Sequence, residues 1–180
     1  MIYYKNKGGI ILSILFNYWI LPLIFIFHDL EEIIMVPIWK KRNSTFISKL
    51  KHPFFGNTNN GSAFSICVLE EFIILIIISL FCFLNKNIYL YLSFLIGYGL
   101  HSFMHFKMCF QFKGYVPGII TILLELPLII YLVIHYAKLC KNSFILLTYI
   151  CISIIIIYMN LYIMHRLMHK IELKINNYEK

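Results

Sequence analysis

GIILSILFNYWILPLIFIFHDLEEIIMVPIW, from Gly9 to Trp39, is the stretch that decides the fold. It holds no Lys or Arg, and its only Asp and Glu lie in the pentapeptide HDLEE at 28–32. So long an apolar run reads as a membrane-crossing helix. A charged group inside a bilayer costs roughly 2.5–3.5 kcal/mol on insertion scales, so polar groups kept there are expected to have a use. In helical register Glu31 and Glu32 follow His28 by three and four positions and flank its imidazole on one face. Asp29 points about 100° away and is left out of the site.

The rest of the chain resembles this segment. Of 180 residues, 61% are hydrophobic and only 13% charged, outside the range of soluble domains. We expect an all-α integral membrane protein forming a single domain. The five cysteines (67, 82, 109, 140 and 151) have no paired spacing, so neither a disulfide framework nor a thiolate metal site is expected. Lys5 and Lys7 before an apolar run mimic a signal peptide. The run exceeds an h-region and lacks a small-residue cleavage site, so it reads as a retained span. The net charge of +8 sits at the ends of the apolar runs, where lipid headgroups rather than nucleic acid are the natural partner.

Five segments reach the roughly 20 residues needed to cross a hydrocarbon core. They are 10–38, 63–84, 88–110, 117–137 and 143–164, a bundle of five transmembrane helices. The basic connection 40–62 has room for a short interfacial helix near Phe46–Leu50. The side holding the N-terminus and the turns 85–87 and 138–142 carries five basic residues, the other side eleven. The positive-inside rule places the second side in the cytoplasm, with the N-terminus outside and the C-terminus inside.

In this arrangement the polar residues gather at one level. His28, Glu31 and Glu32 lie toward the cytoplasmic end of the first span, and Glu70 and Glu71 enter the second from that side. His101 and His105 close the third span there, and Glu125 lies about two turns into the fourth, after Tyr115-Val116-Pro117-Gly118. His165 and His169 end the fifth span and read as solvated tail residues. Only His135 is on the far side, with His52 in the loop.

HDLEE at 28–32, a histidine at 101 or 105 and YVPG at 115–118 together resemble the HXXEE family. That family is marked by an H-x-x-E-E motif, a further histidine and a Y-x-P-G motif, and the resemblance runs from about residue 18 to 165. It implies an integral membrane protein and a site around these residues, but no reaction, because the family's function is unknown.

Three chemistries suit the constellation. His28, Glu31, Glu32, His101 and His105 could bind a divalent metal (zinc, iron or manganese), with Glu70 or Glu71 as a further ligand or general base. Metal-bound water or oxygen would then serve a hydrolase or oxidase acting on a lipid or lipid-linked substrate. Alternatively, His and Glu alone could transfer protons to or from a lipid-soluble substrate. A non-enzymatic lipid-binding or accessory protein is the third reading. The absence of an internal repeat argues against a secondary transporter, and EEFIIL at 70–75 lacks the Arg of the CAAX-type proteases. Pro117 and Gly118 suit a structural turn, with Tyr115 close enough to touch the site, and Glu125 precedes a kink at Pro127.

Overall fold

The computed structural model describes residues 17–50, 54–56 and 58–178. Lys5, Lys7, the start of the first expected span, Lys51, His52 and Lys180 lie outside the described residues. Six helices occur among the described residues: α1 (Ile20–Arg42), α2 (Ser44–Ile47), α3 (Gly61–Asn85), α4 (Ile88–Phe112), α5 (Ile119–Ala137) and α6 (Ser143–Tyr178). No strand occurs among those residues, and the chain is all-α.

Local sequence fixes the helix ends. The Asn60 side chain accepts the Ser62 and Ala63 N–H groups to start α3, and Asn87 accepts the Leu90 N–H to start α4. Both satisfy donors that a helix start leaves bare. Lys86 and Lys113 close α3 and α4 in the left-handed conformation, at φ 51° each. Gly118 opens α5 at φ 84°, where a residue without Cβ is unstrained. Lys40, Lys41 and Arg42 finish α1, where the helix dipole favours cations.

The five long helices close a ring in the order α1, α3, α6, α4, α5 and back to α1. Two joints are visible in small residues. Ser93 Oγ and Ser153 Oγ are 2.6 Å apart between α4 and α6, and a Cβ on Gly97 would collide with Ile157. Between α3 and α6, Asn160 donates to Glu70 Oε2 at 3.1 Å. At the ring end away from HDLEE, Tyr18, Tyr91 and Tyr136 pack ring against ring.

The expectation of five spans is met in part. Among the described residues three helices are, by length and composition, apolar enough to cross a membrane: α3, α5 and α6. The other two long helices carry the polar residues. Asp29, Glu31 and Glu32 interrupt α1, while His101, His105, two serines and two glycines dilute α4. These are also the most enclosed helices, with ten buried residues each against three of the 36 in α6. Polar helices sit inside and oily ones outside. Even so, α1 turns a stripe of Leu23, Phe27, Leu30, Ile34 and Ile38 outward, each about half exposed or more.

The last helix also runs longer than expected, to Tyr178 rather than residue 164. Met164 and Met168, one turn apart, are buried, and this apolar stripe holds the helical tail against the body. The short helix expected near Phe46–Leu50 is found slightly earlier, at Ser44–Ile47.

Candidate functional site

Two helices each present a pair of donors one turn apart. On α1, His28 Nε2 lies 3.3 Å from Glu32 Oε1. On α4, His101 Nε2 lies 3.3 Å from His105 Nε2. The pairs meet where His105 Nε2 stands 3.2 Å from Glu32 Oε1. One ligand atom from each of the four residues falls within 4.8 Å of all the others. His28, Glu32 and His105 are sealed from solvent, and His101 is half-buried.

The opposite edge of each imidazole decides its tautomer. His105 Nδ1 is 2.9 Å from the Pro117 carbonyl oxygen. A carbonyl only accepts, so Nδ1 carries the proton and, in the neutral imidazole, Nε2 presents a lone pair. His28 Nδ1 is 3.0 Å from Thr121 Oγ1. The single Thr121 hydroxyl proton is claimed by acceptors, Glu31 Oε2 at 2.8 Å and Gly118 O at 3.0 Å. Thr121 Oγ1 must therefore accept from His28 Nδ1, which leaves His28 Nε2 as a second lone pair.

Two lone pairs thus aim at a carboxylate oxygen. Neither His28 Nε2 nor Glu32 Oε1 has a hydrogen-bond partner, although both are fully buried. Buried acceptors facing one another repel unless a proton or a cation lies between them. Four donors about 2.0–2.1 Å from one tetrahedral Zn²⁺ stand about 3.3 Å apart along each edge, the spacing of the three contacts given above. Imidazoles whose Nδ1–H is anchored on a protein acceptor are the usual outer support of a metal site. The residues present fit a divalent ion.

The floor of the cluster is backbone. A Cβ on Gly118 would come 2.5 Å from His28 Cε1 and 2.9 Å from both Glu32 Oε1 and His105 Cε1. Pro117, next to it, supplies the carbonyl for His105. Tyr115 donates its hydroxyl to Glu31 Oε1 at 2.7 Å, and Thr121 N–H donates to Glu31 Oε2 at 2.8 Å. Glu31 therefore lies behind the imidazole of His28 rather than among the four donors. Tyr115, Pro117 and Gly118 all touch the site or its support.

The remaining candidates are placed elsewhere. Glu70 is tied to Asn160, and Glu71 is half-buried beside it on α3. Glu125 accepts the Tyr98 hydroxyl at 2.7 Å; Tyr98 in turn packs edge-on against His28, centroids 6.1 Å apart. Asp29 is buried outside the cluster. His165 is half-buried and His169 exposed on α6. His135, near the far end of α5, packs edge-on against Tyr136.

Sequence reasoning did not single out Thr121, Tyr98 or Phe55. Thr121 is the one hydroxyl in the run IITILLELPL, a faint signal. Lys40 does not pair with the HDLEE carboxylates. Its ammonium donates to the carbonyls of Phe55, Gly56 and Thr58 at 3.0, 2.6 and 2.7 Å. Burial pulls it from 10.5 down to about 8. This clamp sets Phe55 against His105, centroids 5.9 Å apart. Trp39 also reaches the turn before α5, donating to the Tyr115 carbonyl at 2.9 Å.

Compared with known proteins, residues 19–132 match a family described as a protein of unknown function with HXXEE motif. No curated protein and no solved structure matches the chain.

Proposed function

The chain belongs to the HXXEE family, and from that premise we propose that it is a membrane-embedded metalloenzyme acting on a lipid or lipid-linked substrate. His28, Glu32, His101 and His105 would hold one divalent ion, zinc, iron or manganese. The observation that carries the reading is the unpartnered His28 Nε2 and the His105 Nε2 that also meets His101, both aimed at one buried, unpartnered Glu32 oxygen. Such an ion, when bound, activates water for hydrolysis or oxygen for oxidation.

The protein's own residues prepare that site. Thr121 and Glu31 hold the His28 ring by its Nδ1–H, and the Pro117 carbonyl holds His105. Gly118, lacking a Cβ, lets the turn pack directly against His28, Glu32 and His105. Glu71, on the helix facing α1, is the carboxylate we assign to proton transfer, since Glu70 is engaged by Asn160. In the bilayer all five long helices would cross, N-terminus outside and C-terminus in the cytoplasm. The polar faces of α1 and α4 are turned inward, and the exposed stripe from Leu23 to Ile38 supplies the lipid contact that α1 lacks on average.

A proton in place of the ion gives the second reading. One Glu32 oxygen between two imidazoles forms a His–Glu–His relay. Metal content by mass spectrometry on detergent-purified protein decides between them. Near-stoichiometric metal that both Glu32→Gln and His28→Ala abolish is the expected result. Metal-free wild type, prepared without chelator, would leave the relay.

A further inference from the structure

Beside the His/Glu cluster, a cleft of about 1410 Å³ separates the C-terminal part of α1, with α2, from α6. Its charged and imidazole lining is Lys40, Lys41, His165, Arg166, His169 and Lys170, and no Asp or Glu lines it. Lys40 is spent on the loop carbonyls. Lys41, Arg166 and Lys170 have no carboxylate partner among the described residues. The Arg166 guanidinium is steadied over the Tyr162 ring, 4.7 Å from its centroid. Three uncompensated cations around one concavity select an anion of high charge density, and a guanidinium in particular suits a phosphate.

The cleft is also amphipathic. Ile38 and Ile47 line it beside Lys41, and Ile38 ends the exposed apolar stripe of α1. A ligand seated there would set its charged end among Lys41, Arg166 and Lys170 and lay its chain along α1. The wall toward the cluster is the Phe55–Gly56 turn. Gly56 lines the cleft while the Phe55 ring packs on His105. Gly56 presses so closely on α6 that a Cβ there would collide with Met168. Cleft and cluster are two sides of one clamped turn.

We propose that this cleft binds a phosphate monoester, as the headgroup of a membrane amphiphile. The binding site stands independently of the enzymatic reading above. The experiment uses full-length protein in phosphatidylcholine nanodiscs, with phosphatidic acid added to the bilayer or glycerol 3-phosphate to the buffer. Binding is read by native mass spectrometry, and metal content is measured on the same samples.

Wild type should retain phosphatidic acid, and Arg166→Gln with Lys170→Gln should weaken retention about tenfold or more without changing metal content. Lys107→Gln with Lys113→Gln removes equal charge from exposed positions outside the cleft and should leave retention unchanged. Equal loss in both double variants would mean that diffuse surface charge holds the lipid, and would overturn the site. Retention of glycerol 3-phosphate as strong as that of phosphatidic acid would identify a soluble phosphate and overturn the amphiphile. Glu32→Gln that loses metal yet keeps phosphatidic acid would support the cleft independently. If wild type carries no metal, the enzymatic reading fails and the cleft result still stands.

Discussion

A Cβ placed on Gly118 would lie 2.5 Å from His28 Cε1, so the left-handed turn that starts α5 also makes the space beside the imidazole. Two costs coincide at this residue. A side chain at φ 84° is strained by about 1–2 kcal/mol, and its Cβ meets three of the four donor residues, or the atoms beside their donors. Gly118→Ala should therefore lower the melting temperature and abolish metal retention together. Gly99→Ala is the control: its Cβ meets an Ile129 methyl at an ordinary 3.4 Å, so both properties should survive. Full metal retention in Gly118→Ala would show that the turn does not bound the site.

Thr121 acts only through other groups. Its hydroxyl accepts from His28 Nδ1 and donates to Glu31, so it positions the ring without reaching Nε2. Thr121→Val keeps the shape and loses both bonds. We expect about 10–100-fold weaker metal affinity, as for other outer-shell losses, with Thr121→Ser restoring most of it. Competition against a chelator of known affinity reads this directly. A merely structural role would show as lost thermal stability with unchanged affinity.

The core of the site was legible because helical periodicity is a strong rule. The i, i+4 pairs His28/Glu32 and His101/His105 are 3.3 Å apart between their nearest Nε2 and Oε1, or Nε2 and Nε2, atoms. Adjacent carboxylates were not resolvable in the same way. Glu31 and Glu32 both neighbour His28, and only the position of α5 sends Glu31 to Thr121 and Tyr115. Thr121 itself is an ordinary residue in an apolar run, and its role exists only once α1 and α5 are packed. The Lys40 clamp depends on where an irregular loop folds, which no periodicity encodes. The span over 143–164 is the apolar part of α6; charged residues follow it, and the Met164/Met168 stripe accompanies the helix on toward Tyr178.

Lys40 makes a pH-dependent contribution of definite sign. Folded, it releases its proton near 8 rather than near 10.5. Between those values the unfolded chain holds more protons, so the Lys40 contribution to stability rises with pH and is flat below about 8. Lys40→Met should melt lower at every pH, because three carbonyls lose their donor at about 1–3 kcal/mol for a buried group. The gap between wild type and Lys40→Met should widen as pH climbs from about 8 to about 10. A gap that stays constant or narrows over that window would contradict the burial of the ammonium.

Whether α1 and α4 cross the bilayer has a clean geometric consequence. If all five long helices cross, the turn at Asn85 and the turn at Gly114 lie on opposite sides, because α4 separates them. If only α3, α5 and α6 cross, those two turns share one side. With the five native cysteines replaced by alanine, Asn85→Cys and Gly114→Cys can be labelled with a membrane-impermeant maleimide in sealed, oriented vesicles. Both positions are exposed, so labelling reads sidedness rather than burial. We expect Asn85→Cys to label from outside and Gly114→Cys only after permeabilisation. Labelling of both from one side would show that α4 does not cross. Were α1 not to cross, its exposed stripe Leu23, Phe27, Leu30, Ile34 and Ile38 would face water, at about 25 cal/mol for each Å² left exposed, and that cost favours the crossing of α1.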